Sequence, residues 1–335
     1  MIFFNASAVS LKNKSDILFF HFNYYQHLPL IKHVREKYPF GRTIFTIHFQ
    51  DWCFALKGNT SYFKRIINTE KEQLKDDSEK NILIQYEEDV TIYNTVNNVI
   101  CLSEYTRKLL IEDYKIPDKK ISLIYNVLKD EAVFLSKNKK ASLKKRLFID
   151  EKDKIILFAG RLDDIKGVDV LIKAFKLLLR KNTDYHLVIA GDGNYPVYLK
   201  ECNDIWHKIT FTGRLDKNEL YRYYQLADIG VMPSTHEQCS YVAIEMMMFG
   251  LPVVASDSTG LSEMFSGQNS RYKIKVKENN DNVSLSPVIL KNKIIAALSN
   301  NDYGTRLRKQ YENVYTDKIM RDKYLKIYEN FGSVN

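Results

Sequence analysis

Lys154-Ile-Ile-Leu-Phe-Ala-Gly160 is an apolar run that ends on glycine, and Gly167-Val-Asp-Val-Leu-Ile-Lys-Ala-Phe-Lys-Leu-Leu-Leu-Arg180, a short loop later, carries apolar residues at helical spacing. A strand that feeds through a loop into an amphipathic helix is the repeating unit of a parallel sheet. The alternation extends in both directions. Downstream it predicts strands at His186–Ala190, Ile209–Gly213, Ile229–Pro233 and Pro252–Ser256, with helices near Lys217–Leu226 and Tyr241–Phe249. Upstream it predicts strands at Ile17–Phe22, Thr43–His48, Asn98–Leu102 and Ile121–Tyr125, with a long polar helical stretch around Ser61–Asn94. The upstream half reads as one doubly wound unit. Tyr272–Ser286 is polar and reads as irregular, and helical stretches from Val288 to Phe331 close the chain. The fold class is α/β.

A length of 335 residues suggests two domains, each large enough for its own core. With 45% hydrophobic and 27% charged residues the composition is that of a globular protein, not a disordered, fibrous or membrane-spanning one. The cationic segment Ser136–Arg146, SKNKKASLKKR, is poor in core residues and marks the boundary between the domains, or else a solvated helix face. The net charge of +9 favours anionic partners: nucleotide phosphates, acidic lipid headgroups or nucleic acid. Nucleic acid is disfavoured by the lack of a helix-turn-helix signature, paired Cys/His spacing or an RNP-like aromatic strand.

Cys53, Cys101, Cys202 and Cys239 are far apart and form no C-x-x-C pair, so they read as buried thiols of a reducing cytoplasm. The opening MIFFNASAVSLKNKSD lacks a basic segment followed by a long apolar one, and no run approaches the roughly 20 apolar residues that span a bilayer. The expected location is cytoplasmic, peripheral on the inner face of a membrane at most.

Two constellations carry chemistry. Pro233-Ser-Thr-His-Glu237-Gln-Cys-Ser-Tyr-Val-Ala-Ile-Glu245 places two glutamates across a strand-to-helix junction. If Cys239-Ser240 opens the helix, its unpaired N–H groups and positive dipole end suit a diphosphate. Glu237 on the leading loop and Glu245 inside the helix could each hold a polyol through acceptor oxygens. Gly160-Arg161-Leu-Asp-Asp-Ile-Lys166-Gly167 joins a strand to a helix with two cations between glycines, an anion-binding layout. It lacks the Walker pattern, and Gly191-Asp-Gly193 is too short for a dinucleotide fingerprint, which disfavours an ATPase or an NAD enzyme.

These constellations occur in order with Val188-Ile-Ala-Gly-Asp-Gly193, Phe211-Thr-Gly-Arg214, Ala227-Asp-Ile-Gly-Val-Met-Pro-Ser234 and Phe249-Gly-Leu-Pro-Val-Val-Ala255. From about Lys154 to Met264 the chain resembles the retaining family-four glycosyltransferases of GT-B fold. The resemblance implies two Rossmann-like domains facing a cleft: residues 1–135 on the acceptor side, residues 136–314 binding the nucleotide-sugar, and a helix at 315–335 crossing back onto the first domain. It implies transfer of a hexosyl group, with retention, from a nucleotide-sugar to a glycan or lipid-linked glycan in surface polysaccharide assembly. The nucleotide-sugar is a co-substrate; no cofactor and no catalytic metal are expected. Basic patches and aromatics near the N-terminal domain would suit an anionic membrane surface.

By the same resemblance, Arg161 and Lys166 match the diphosphate-binding cations, Glu237 the carboxylate near the reacting carbon, and Glu245 the one that grips the ribose. Ser240, Tyr241 and Val242 match the segment whose backbone amides face phosphate and sugar. Gly160 matches the loop glycine beside the donor, and Arg214 lies in the base-contacting segment. His48 matches the cleft histidine; His21 is a weaker candidate, and Ser103 and Asn126 read as structural caps or turns. Relatives usually begin with a strand, a glycine-rich loop and further strand and helix units before a segment like Ile17–Asn23. A shortened N-terminus is therefore expected. The alternatives are an inactive nucleotide-sugar-binding partner of another transferase, and a GT-B phosphorylase or epimerase.

Overall fold

The computed structural model describes residues 18–279 and 282–332, with side chains as far as Glu329. Ile17 and the segment before it lie outside the described residues. The first domain holds β1 (Phe19–Phe22), α1 (Leu28–Lys37), β2 (Arg42–Thr46), α2 (Asp51–Ala55), α3 (Thr60–Ile67), α4 (Asp77–Thr95), β3 (Asn98–Cys101), α5 (Glu104–Glu112) and β4 (Ile121–Leu123). The helical stretch expected at Ser61–Asn94 is split: α3 ends at Ile67, and Asp76 restarts the chain as α4 by accepting the Glu79 N–H on its side chain.

The first sheet is parallel, with strands in the order β1-β2-β3-β4. Among the described residues that order does not reverse, so no switch point lies within this sheet. Parallel crossovers are right-handed in about 98% of cases, which puts every connecting helix of such a sheet on one face. Phe45, Val99 and Cys101 point to that face and pack with Ile31, Phe63 and Tyr93. Their neighbours Ile44 and Ile100 point to the other and need a separate cover. It comes from the end of the chain.

After α6 (Lys137–Arg146) the second domain runs through β5 (Lys154–Ala159), α7 (Val168–Leu179), β6 (Tyr185–Ala190), α8 (Tyr195–Glu201), β7 (Ile209–Gly213), α9 (Lys217–Leu226), β8 (Ile229–Met232), α10 (Tyr241–Met248), β9 (Val253–Ser256) and α11 (Thr259–Met264). The stretch read as irregular holds β10 (Lys273–Ile274) and an antiparallel hairpin of β11 (Lys277–Asn279) and β12 (Asn282–Ser284). Then α12 (Pro287–Leu298), α13 (Tyr303–Val314) and α14 (Asp317–Gly332) follow. Ile327, Met320, Tyr324 and Tyr328 of α14 pack against Ile44, Ile100, Ile124 and Phe19, covering the open face of the first sheet.

The second sheet has the order β10-β9-β8-β5-β6-β7, with every pair parallel. Its order reverses between β5 and β8, the position where doubly wound sheets open a crevice at their carboxyl ends. β5 and β8 pair only at Ile156↔Ile229 and Leu157↔Gly230, whereas β5 and β6 stay paired to Ala159↔Ala190. The chain leaving β5 and the chain leaving β8 thus part above Leu157.

The two domains are tied at several points around this crevice. Asn126 donates to the Cys239 carbonyl at 2.8 Å, and the Gln238 side-chain oxygen accepts from the Ser103 and Thr106 hydroxyls. Glu263 of α11 accepts the Glu104 and Tyr105 N–H groups at the start of α5, at 3.1 and 3.2 Å. Lys57 pairs with Asp164 at 2.8 Å, and Glu278 of the hairpin accepts the Ser61 N–H at 3.1 Å and its hydroxyl at 2.6 Å.

Candidate active site

The loop leaving β5 needs glycine on both sides. Gly160 has φ +147°, and a Cβ there would meet only Phe158, at 3.5 Å, so the residue leaves space on the crevice side. Gly191, at the end of β6, has φ +157°; a Cβ there would lie 1.7 Å from the Gly160 carbonyl oxygen, so no side chain fits. This approach holds the two strand ends together beneath a cavity of about 620 Å³ lined by Gly160, Arg161, Asp192, Arg214, Leu215 and Val242.

A second cavity of about 230 Å³ adjoins it through Ala159, Gly160, Arg161 and Val242, and is closed by Lys166, Glu237, Ser240 and Tyr241. Lys166 ends a single 3₁₀ turn, Asp164–Lys166, and its Nζ lies 2.5 Å from Glu237 Oε1, with both side chains largely buried. Two bonds hold that pair in place: the Thr235 N–H donates to the Ile165 carbonyl at 2.7 Å, and the Gly260 N–H to the Glu237 carbonyl at 2.8 Å. Thr259 accepts the Glu237 N–H at 2.9 Å and donates to its carbonyl at 2.7 Å. Ser240 caps α10 by accepting the Ala243 N–H, leaving the first N–H groups of that helix beside the cavity.

Arg161 is more exposed than Lys166. Its guanidinium pairs with Asp163 at 3.0 Å and sits 5.6 Å from the ring of Phe54, which α2 brings from the first domain. His236, fully buried between Lys166 and Trp52, has its pKa pushed down to about 3 by burial and by the Lys166 charge, so the imidazole is neutral. Burial also pushes the Cys239 thiol up to about 12, which leaves it protonated and inert as a nucleophile. All four cysteines are buried.

The residues singled out in the sequence divide into two groups. Gly160, Arg161, Lys166, Arg214, Glu237, Ser240, Tyr241 and Val242 all line one cavity or the other. Glu245 is one turn into α10 and lines neither; its carboxylate accepts the Tyr224 hydroxyl at 2.8 Å, and burial raises its pKa. His48 lies two residues beyond β2, bonded through Nε2 to Asn23 at 2.9 Å, and His21 bonds Thr46 at 2.7 Å. Burial lowers the pKa of both histidines, that of His21 also through His48. Asn126 and Ser103 do more than cap, because each contacts the loop Gln238-Cys239 across the crevice. Phe54, Thr259 and Glu263 carry no local signature in the sequence and were missed. Among the described residues no cluster of His, Cys, Asp and Glu could hold a metal ion, and no helix is long and apolar enough to cross a membrane.

Residues 139–313 match the family described as glycosyl transferases group 1, and residues 3–131 match Glycosyltransferase Family 4. An uncharacterised glycosyltransferase of Methanocaldococcus jannaschii is 32% identical over 235 residues, 65% of this chain and 59% of that protein. The alpha-monoglucosyldiacylglycerol synthase of Streptococcus pneumoniae is 31% identical over 176 residues, 51% of this chain and 40% of that one. The chain therefore matches less than two thirds of the length of either relative. The crystal structure of the HepE protein of Anabaena in complex with UDP superposes with a TM-score of 0.71 at 14% identity, over 95% of this chain and 79% of that one. At that identity the likeness concerns the fold. With the family match spanning more than half of its length, the chain belongs to the glycosyl transferases of group 1 and has the GT-B fold.

Proposed function

We propose that this protein transfers a hexosyl group, with retention of configuration, from a nucleotide-sugar to a glycan or lipid-linked glycan in surface glycoconjugate assembly. The observation that carries this reading is the pair of adjoining cavities at the switch point of the second sheet. One is broad and flanked by Arg214 and Leu215, suited to a nucleoside; the other is small, with Lys166, Glu237 and the start of α10 around it. A diphosphate at their junction would meet Arg161, Lys166 and the N–H groups of α10. These groups stabilise charge on the departing nucleoside diphosphate, which makes a metal unnecessary for that step. Glu237 would orient the sugar hydroxyls, Glu245 would hold the ribose once Tyr224 yields it, and His48 would approach the sugar from the first domain. The acceptor hydroxyl then attacks from the face the diphosphate leaves.

A UDP-sugar is the first donor to try, given the UDP in the HepE crystal structure, and diacylglycerol is a lipid acceptor to include, given the name of the pneumococcal relative. The test is calorimetric titration with a panel of nucleotide-sugars, with hydrolysis followed in parallel, for wild type, Arg161→Ala/Lys166→Ala and Glu245→Ala. Binding of one donor that both variants lose supports the assignment. No binding, or binding that the variants retain, overturns it, and binding without hydrolysis or transfer to any acceptor points instead to an inactive donor-binding partner.

A further inference from the structure

Helix α6 concentrates the positive charge of the chain. Lys137, Lys139, Lys140, Lys144, Lys145 and Arg146 all lie in it, and the segment from Ala132 to Ile149 contains no acidic residue. Leu143 and Leu147 pack inward on the second-domain core, while Lys137, Lys139, Lys145 and Arg146 are exposed. None of the six cations is in an ion pair among the described residues.

Both ends of this helix carry apolar side chains in solvent. Val133 and Phe134 before it are 60% and 65% exposed, and Phe148 after it is 96% exposed. Phe148 also has φ +56°. The Phe148 N–H bonds the Lys145 carbonyl and the Ile149 N–H bonds the Lys144 carbonyl, at 3.2 and 3.0 Å, a helix end whose left-handed residue is commonly glycine. A bulky side chain is disfavoured in that conformation, and this one gains no packing in return. The ring is thus costly to the folded chain alone and is presented to solvent beside the exposed cations of α6.

We propose that α6 with Phe134 and Phe148 is a docking surface for an anionic lipid bilayer, the rings entering the headgroup layer and the cations lying over acidic headgroups. Aromatic residues flanking a basic helix combine the two attractions that bind a peripheral protein, apolar insertion and electrostatic attraction to acidic lipids. A nucleic acid would satisfy the charges and leave the exposed apolar ends uncovered, whereas a bilayer takes up both at one surface. The surface lies on the second domain, where α6 packs against α9. It is separate from the donor cavities, so its test stands or falls independently of the transferase reading.

The experiment is co-sedimentation of the full chain with phosphatidylcholine vesicles, with and without about one third phosphatidylglycerol, at low and high salt. Binding is expected only to the acidic vesicles and is expected to weaken with salt. Lys139→Ala/Lys145→Ala should weaken it roughly 25-fold, at roughly fivefold per cation near the surface. Phe148→Gly should weaken it about tenfold while melting no lower than wild type, because glycine suits the left-handed helix end. Nucleoside diphosphate binding should be unchanged in both variants. Equal binding to neutral vesicles, no binding to either, full binding by Phe148→Gly, or preferential capture by duplex DNA would each overturn the proposal.

Discussion

Lys166 Nζ lies 2.5 Å from Glu237 Oε1, across two loops that are 71 residues apart in the chain. The cation and the carboxylate that the proposed function gives to the donor's diphosphate and sugar therefore pair with each other in this structure. On the proposed function, a bound diphosphate would compete with Glu237 for Lys166 and free the carboxylate for the sugar hydroxyls.

This relationship predicts opposite effects for the two partners. Lys166→Ala should weaken nucleoside diphosphate binding about 10- to 100-fold, the range of a lost charge-assisted hydrogen bond, and lower turnover by roughly 10² to 10³. Glu237→Gln should leave diphosphate binding intact or tighter while lowering turnover. Titration with the nucleoside diphosphate and initial-rate kinetics separate the two; diphosphate binding that falls in Glu237→Gln counts against the assigned roles.

Asn126→Ala should destabilise the protein by about 1–3 kcal/mol, because the Cys239 carbonyl is left buried without its 2.8 Å donor. The same change loosens the loop that starts α10, so donor affinity should fall along with the denaturant midpoint. An unchanged midpoint would show that the bond contributes nothing.

Gly191→Ala puts a Cβ 1.7 Å from the Gly160 oxygen, an overlap that only a shift of the strand ends relieves. The expected cost is roughly 1–3 kcal/mol, with donor binding lost beyond what that destabilisation explains. Thermal unfolding with and without nucleotide measures both; a variant that melts and binds as wild type refutes the close approach.

Glu263 has its carboxyl pKa raised to about 7, first by burial, although the Glu104 and Tyr105 N–H groups favour its charged form. The unfolded chain releases that proton near pH 4.5 and the folded chain near pH 7, so Glu263 favours folding at low pH and this contribution is lost as pH rises through that window. His186 and His236, with pKa values lowered to about 4 and about 3, impose the opposite slope, since the folded chain refuses protons the unfolded chain takes up below 6.5. The quantity to measure is therefore the difference in unfolding free energy between wild type and Glu263→Gln. It should decline by about 1–2 kcal/mol from pH 4.5 to 7, allowing for solvent screening, and parallel curves would exclude the effect.

Much of the second domain was legible from local pattern. The runs Lys154–Gly160 and Gly167–Arg180 read as strand and helix because a strand buried in a parallel sheet is continuously apolar and its crossover helix has one apolar stripe. Gly160, Arg161, Lys166, Glu237 and Ser240 could be placed together because all lie just past the carboxyl ends of strands, where such sheets open.

Other features depended on pairings that leave no local trace. The order of the first sheet follows from which strands pair, and each strand looks the same whether or not the order reverses. Glu245 was matched to the ribose contact by resemblance, and its bond to the Tyr224 hydroxyl, 21 residues earlier on α9, leaves no local trace in the sequence. Phe54 reaches Arg161, and Glu263 caps α5, only because two separately folded sheets meet. The sequence by itself determined the α/β alternation, since apolar period is written locally, and through the order of its motifs the resemblance to the family and most of the residues around the two adjoining cavities. Tertiary structure alone decided which side chains of α14 cover Ile44 and Ile100 and which side chains cross the crevice. Those contacts join segments far apart in the chain, and the geometry that brings them within reach exists only once both sheets are formed.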